Sequence, residues 1–482
     1  MNAAHHLAVI GAGPAGLAAA TVAADCGLET VVFDEGPAPG GQIYRSIEEV
    51  TRERAGDHAL LGEEYGRGNG LVAAFRASAA SYLPQTSVWE ITPDGELGIL
   101  GPEGARLLGA QRVLISAGAM ERPMPVPGWT LPGVMTAGAA QTLLKSAAQV
   151  PDVPLVLAGS GPLLYLVAWQ LVQAGAPVQA VLDTTPRANA WRALRHLPGV
   201  WPEAATLVKG WRWMREIRSH GVRVLSGVSA LRCLGQGRLE SVAYRIGSQD
   251  EARIDCQLTL LHQGVIPNHQ LAAAAGCAQA WDETQLCWRT ASDAWGATDV
   301  AAIAVAGDCV GIGGALAAER QGRLAGLDAA CRLGAISAEE RDRRSYPERH
   351  ELARQMGLRR FLDAYFRPAA WLLAPPEDDT VVCRCEEVTA GELRQVVDLG
   401  CPGPNQAKAF TRAGMGPCQG RMCGQTVSAV IAAARGLPVA RIGEARVRPP
   451  LKPITVGQLA EMQGVDHDVS LSGGLPAAPK EA

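Results

Sequence analysis

A chain of 482 residues with 48% hydrophobic content is long enough for roughly three domains of ~100–200 residues, each with its own core. Its formal charge of −4 offers no basic excess, so neither a nucleic-acid footprint nor a polybasic membrane patch is expected. Twelve cysteines are far too few for a disulfide scaffold of this length and fit a reducing cytoplasm.

The N-terminus, MNAAHHLAVIGAG, carries no basic region or cleavage site, so no export signal is expected. Two uncharged runs, one opening at residue 3 and one between Asp152 and Asp183, have glycines at a strand-to-helix turn. They read as the buried core of a doubly wound sheet rather than as membrane spans. In the first run, LAVIGAGPAGLAAATVAADCGLETVVFDEG, a strand leads into Gly11, Gly13, Pro14, Ala15 and Gly16, then an alanine-rich helix, then a second strand ending at Asp34. This is the dinucleotide fingerprint in full context. Gly11 makes the tight turn, Gly13 lets the backbone approach a pyrophosphate at the helix N-terminus, and Gly16 lets helix and strand pack closely. Asp34 follows Gly16 with 17 residues between them, where an acid meets a ribose hydroxyl, and Glu35 is the lesser candidate. The motif alone does not choose between FAD and NAD. Further on, PAPGGQIYR contains Gly41 and Gln42, and Glu121-Arg122 in GAMERP reads as an ion pair bracing a crossover loop.

The second run, VPLVLAGSGPLLYLVAWQLVQAGAPVQAVLD, repeats the plan with Gly159, Gly161 and Asp183, but its third glycine position holds Leu164. A side chain there is expected to push the helix off the strand. An adenine nucleotide at this second site and a purely structural domain both stay open, and Asp183 would favour a free ribose over a 2'-phosphate. His262 ends an apolar run with no neighbouring carboxylate in sequence and reads as structural. Downstream, VAAIAVAGDCVGIGGALAAERQGRLAG is a buried strand, the pair Gly307-Asp308, a glycine loop and a helix. Asp308 there has a bland alternative as a helix cap. Cys26, Cys233, Cys256, Cys277, Cys287, Cys309 and Cys331 are scattered singly and read as small core residues.

Four other cysteines are clustered: Cys383 and Cys385 as C-x-C, then, after 32 residues, Cys418 and Cys423 as C-x4-C. Structural zinc sites use C-x2-C knuckles, which makes zinc the second choice. Glycines at 414, 416, 420 and 424, three nearby arginines and a helix starting after Cys423 suit an anionic iron-sulfide cluster.

The run from Gly11 to Asp34, with Gly41-Gln42 and Gly307-Asp308, resembles the two-dinucleotide-domain flavoproteins. That resemblance implies FAD, with Asp308 on its ribityl chain and Gly41-Gln42 near the isoalloxazine. The cysteine array resembles the bacterioferritin-associated-ferredoxin-like module, which implies one [2Fe-2S] cluster on Cys383, Cys385, Cys418 and Cys423, with Cys401 a bystander. Taken in order, GAGPAG, GGQIYR, SAGAMERPMPVPGWTLPGVMTAGAAQ, GSGPLL, HQGVIPN, GDCVGIGGALAA, CRCEEV, GMGPCQGRMCG and RVRPPLKP are similar to the larger FAD and iron-sulfur subunit of hetero-oligomeric opine oxidases, cyanide synthase and proline or hydroxyproline dehydrogenases. The resemblance implies an electron-transfer subunit beside a catalytic subunit with its own flavin, with room for a small third subunit. It also implies a non-oxygen acceptor such as a quinone, and a place in the cytoplasm or on the inner face of the membrane. The competing readings are a self-sufficient NADH-dependent reductase and a zinc-containing scaffold.

The expected fold is α/β, of the Rossmann-like glutathione-reductase type, with a small helical cluster module. The expected division is residues 1–150 plus 280–335 for FAD, 151–279 for the altered nucleotide domain, 336–379 as a helical linker, 380–436 for the cluster and 437–482 as an extension. The tail SGGLPAAPKEA is expected to be frayed or bound to a partner.

Overall fold

The computed structural model describes residues 5–462, so the tail sequence at 472–482 lies outside the described residues. Two parallel sheets carry the two fingerprints. In the first, His5–Ile10 lies between Thr30–Phe33 and the long strand Gly104–Ile115, with Ser81–Leu83 on one flank and Ile303–Val305 on the other. Its strands are continuous apolar runs because both faces are covered. Leu7, Val9, Val32 and Leu114 pack against the helices, whereas Val31, Phe33, Val113 and Ile115 pack on the other side. The first half of Gly104–Ile115 leaves this sheet and pairs antiparallel with Glu96–Gly101, which continues to Ser87–Ile91.

The helices Pro14–Asp25 and Ala315–Arg332 cross at very short range. A Cβ at Gly322 would sit 2.1 Å from the Ala15 carbonyl oxygen, and one at Gly326 would sit 2.6 Å from that of Ala19. Small residues at this crossing draw the loop before each helix toward the same point.

The second sheet runs in the order Arg223–Ser226, Val178–Asp183, Leu155–Ser160, Leu258–Gln263, Val134–Thr136, all parallel. This moves the expected boundaries. Val134–Thr136, on the FAD side of residue 150, pairs with Leu258–Gln263 of the second sheet. Conversely Ala272, Ala275 and Cys277, on the far side of residue 280, pack into the first domain. The chain changes domain at the short antiparallel pair Ala119–Glu121 and Val265–Pro267. Two strands of three residues each carry too little pattern to mark a boundary in sequence.

Beyond the helix Ala338–Tyr365, the cluster module packs helices Ala390–Asp398, Pro404–Thr411 and Gly424–Arg435 beside the paired strands Val381–Cys383 and Val388–Thr389. The Thr389 hydroxyl accepts from the Glu392 amide and the Glu392 carboxylate accepts from the Thr389 amide, a capping box that fixes the first helix start. The Trp129 indole donates to the Val381 carbonyl (2.7 Å) and the Gln425 amide donates to the Leu286 carbonyl, so the module is fastened to both domains.

Candidate functional site

The parallel strands of the first sheet end together at Ile10, Phe33, Ile115 and Val305, and the loops that follow enclose a cavity of about 650 Å³. Clefts at the carboxyl ends of parallel strands are where doubly wound folds bind ligands. Gly11, Gly13, Pro14, Ala15, Asp34, Glu35, Gly41, Gln42, Gly307 and Asp308 all line it. Gly16 lies behind the loop, where a Cβ would fall 1.9 Å from the Gly11 carbonyl oxygen and 2.6 Å from Ser116 Oγ. No side chain fits there.

The Asp34 carboxylate accepts from the Ala12 amide at 2.6 Å and the Gly36 amide at 2.7 Å, which aims it along the cavity wall. Burial nonetheless pushes its carboxyl above the usual range. Asp308 Oδ1 accepts from the amides of Gly313 (2.8 Å) and Gly314 (3.0 Å), bracing the loop that opens Ala315–Arg332. Asp308 is thus a loop brace rather than the helix cap, which is Gly314, and it also faces the cavity. Glu35 is held at the cavity wall by an ion pair with Lys452 at 2.7 Å.

Sequence reasoning missed Lys145, which also lines the cavity. It is buried, donates to the carbonyls of Gln42 (3.1 Å) and Ile43 (3.0 Å), and is pulled down to about 7 by burial and then by Arg45. Its only signal in sequence is a single lysine on the inner face of Ala137–Ala147.

Glu121 and Arg122 are not an ion pair. Glu121 Oε1 lies 2.7 Å from His262 Nδ1 and its Oε2 accepts from the Gly138 amide, while Arg122 donates to the carbonyls of Gln285 and Leu286. His262 thus has the carboxylate partner that its sequence neighbourhood lacks, supplied from 141 residues away.

Gly159, Gly161 and Asp183 come together at the end of the second sheet, but none of them lines the cavity. Leu164 is fully buried among Leu155, Leu157 and Leu260. Asp183, 7% exposed, accepts from the Tyr165 hydroxyl at 2.6 Å and from the Thr185 amide at 2.8 Å. Burial and the Asp183 charge raise the Tyr165 phenol far above its ordinary range, so it stays a donor. Asp34 has only backbone amides as donors and faces the cavity, whereas Asp183 is covered by a side chain of the adjoining helix and does not.

In the C-terminal module the four predicted cysteines converge. Their sulfurs form a chain of contacts, Cys383 to Cys423 to Cys418 to Cys385, and among the described residues no three Cys, His, Asp or Glu groups close around a single ion. Closeness to the Cys423 sulfur holds Cys383 down to about 6 and Cys418 down to about 5, and Cys423 is raised in return. Backbone amides of Cys385, Glu386 and Gly414 point at Cys383 and those of Gly420 and Met422 at Cys418. A Cβ on Gly416 would strike the Cys385 Cβ at 2.2 Å, and Gly414 and Gly420 hold φ of 84° and 79°, where a side chain is strained. Thiolates ringed by amides fit an anionic sulfide cluster spread over two irons better than one zinc ion. Cys401 stands apart, donating to the Gly403 carbonyl. Of the scattered cysteines, Cys233, Cys256, Cys277, Cys287 and Cys309 are buried, and Cys26 and Cys331 are half-buried.

The loop between Cys418 and Cys423 closes the distance to the first domain. Gln419 and Arg421, both inside it, line the same cavity as Gly11, Asp34 and Asp308. The following extension is the lid of that wall: Val447, Leu451 and Lys452 line the cavity, the Leu451 amide donates to the Trp89 carbonyl (2.7 Å), and Glu444 meets His269 at 2.7 Å.

Residues 5–322 match the pyridine nucleotide-disulphide oxidoreductase family and residues 381–433 match the BFD-like [2Fe-2S] binding domain. The opine oxidase A subunit of Agrobacterium tumefaciens (strain Ach5) is 43% identical over 98% of this chain and 97% of its own length. The chain belongs to the opine oxidase A family. Hydrogen cyanide synthase subunit HcnB of Pseudomonas aeruginosa is 33% identical over 86% of this chain and 90% of its own. Among solved structures, L-proline dehydrogenase from P. horikoshii superposes with a TM-score of 0.69 at 17% identity, covering 94% of this chain and 79% of that one, which speaks to fold alone. Like others of the opine oxidase A family, the chain is an oxidoreductase subunit, its first domain of the FAD-binding type and its last of the [2Fe-2S] type. Among the described residues no helix is long and apolar enough to cross a membrane.

Proposed function

We propose that this chain is the electron-transfer subunit of a hetero-oligomeric amine or imino-acid dehydrogenase, of the opine, proline or D-hydroxyproline type. In this reading a catalytic partner with its own flavin, with or without a small third subunit, oxidises the substrate. This chain then passes the electrons to a non-oxygen acceptor such as a quinone, at the inner face of the membrane or in the cytoplasm. The relatives are named as subunits of an opine oxidase and of a hydrogen cyanide synthase, which supports a subunit role.

The observation that carries the reading is the shared wall: Gln419 and Arg421 of the cysteine loop border the cavity of the first fingerprint. FAD supplies two-electron chemistry that can be split into single electrons, and a [2Fe-2S] cluster accepts one at a time. The residues divide the work of holding these groups. Gly11 and Gly13 admit a pyrophosphate to the N-terminus of Pro14–Asp25, Asp34 takes a ribose, Asp308 takes the ribityl chain, and Lys145 offers an N–H donor next to Gln42. Cys383, Cys385, Cys418 and Cys423 hold the cluster, with the amides of Gly414, Gly420 and Met422 countering its charge.

Purified alone, the protein should contain flavin, iron and acid-labile sulfide yet oxidise neither an opine nor hydroxyproline at an appreciable rate. Rapid substrate oxidation by the isolated chain would contradict the reading. The NADH-reductase alternative needs an open second site, and Tyr165 occupies the acid that site depends on.

A further inference from the structure

The second domain carries an outer surface unlike the rest of the molecule. Four of the chain's eleven tryptophans fall between Trp191 and Trp213. Trp201 is 85% exposed, Trp191 79% and Trp211 55%, accompanied by exposed Leu194 and Val208. They stand on three consecutive elements, the helix Asn189–Leu194, the turn Trp201–Glu203 and the helix Ala204–Ser219. On this last helix, of 16 residues, only Ile217 is buried. Trp213 packs inward on Trp169, so Val208, Trp211, Arg212 and Arg215, at positions i, i+3, i+4 and i+7, form the outward stripe.

Residues 189–219 contain six basic side chains against two acidic ones, in a chain whose total charge is −4. Both acids are spent internally: Glu203 pairs with Arg354 at 3.1 Å and Glu216 accepts from the Trp169 indole (2.5 Å). Lys209 pairs with Glu64. Among the described residues Arg192, Arg195, Arg212, Arg215 and Arg218 join no ion pair.

We infer that this surface seats the protein on an anionic lipid bilayer. Large amphipathic rings that stand clear of the fold, next to uncompensated arginines, match the two halves of a lipid interface: apolar rings enter at the headgroup level and cations meet phosphate. A redox partner is a poorer match, because no residue of 189–219 borders the cavity to which electrons would have to be delivered. The whole-chain charge concealed the patch by averaging it with acidic surface elsewhere. The attachment stands whether or not the acceptor is a quinone.

The test uses the full-length holoprotein in flotation with vesicles of phosphatidylcholine, with and without phosphatidylglycerol. Binding should require phosphatidylglycerol and weaken with salt, and brominated lipid should quench tryptophan fluorescence. The double substitution Arg212→Gln with Arg215→Gln should weaken binding about 10- to 30-fold, at roughly a kcal/mol per arginine. Trp201→Ala with Trp211→Ala should cut the quenching to what Trp191 alone gives, with flavin content and cluster absorbance unchanged to show that the fold persists. Equal binding to neutral vesicles, no binding, or binding indifferent to these variants would overturn the inference. So would loss of a co-purifying catalytic subunit in the tryptophan variant without loss of vesicle binding.

Discussion

The two fingerprints are nearly the same sentence with different endings. Each has a buried strand, a glycine turn followed by proline, a helix, and a second strand closed by an aspartate. At the first, Gly16 leaves no room for a side chain and Asp34 is aimed at a large cavity by two backbone amides. At the second, Leu164 has become part of the core and Tyr165, the next residue, turns its hydroxyl onto Asp183. An acid at the right spacing is therefore no evidence of a ribose site until it is shown to face a cavity, as Asp34 does and Asp183 does not. The hydroxyls of Ser160, Thr184 and Thr185, on the two strand ends that meet at Asp183, are buried without protein partners.

Exchanging the third position tests the contrast most severely. Gly16→Leu places a side chain against the Gly11 carbonyl and should yield protein without flavin, read from the visible spectrum after purification. The reciprocal Leu164→Gly should keep full flavin content but lose about 4 kcal/mol of stability in denaturant unfolding, from a core cavity plus the cost of glycine in a helix. The acids come next. Asp34→Ala should weaken flavin binding by at least about tenfold, because a charge-assisted hydrogen bond to ligand is lost. Tyr165→Phe should leave flavin untouched and cost about 1–3 kcal/mol, since one oxygen of the buried Asp183 loses its donor.

The last effect is one of pH, and it is gradual. Lys145 titrates near 7 in the fold and near 10.5 when unfolded, so between those values the unfolded chain holds a proton that the folded one lacks, and stability rises with pH. The burial penalty is complete below pH 7. Lys145→Met removes it, so the stability of wild type relative to this variant should climb by up to about 1.4 kcal/mol per pH unit above pH 7 in flavin-free protein.

Much of the site was legible because its demands are local. A pyrophosphate needs backbone amides at a helix start and no side chains in the way, so glycines at 11, 13 and 16 announce it, and four thiolates announce themselves by number and spacing. What stayed hidden is joined by long-range side-chain contacts that leave no periodic trace. Glu121 reads as the partner of Arg122 because they are adjacent, yet it belongs to His262. Lys145, the Lys452–Glu35 pair and the approach of Gln419 and Arg421 to the cavity depend on segments separated by a hundred residues or more. The domain boundary failed at Val134–Thr136 for a related reason: three residues of strand are too short to declare which sheet they join.

The most direct test of the shared wall is anaerobic photoreduction of the purified holoprotein, following flavin absorbance together with the low-temperature electron paramagnetic resonance of the cluster. The account predicts that the reduced-cluster signal grows as the flavin bleaches, and that NADH added in place of light produces neither change. A cluster that stays oxidised beside fully reduced flavin, or prompt bleaching by NADH, would contradict it.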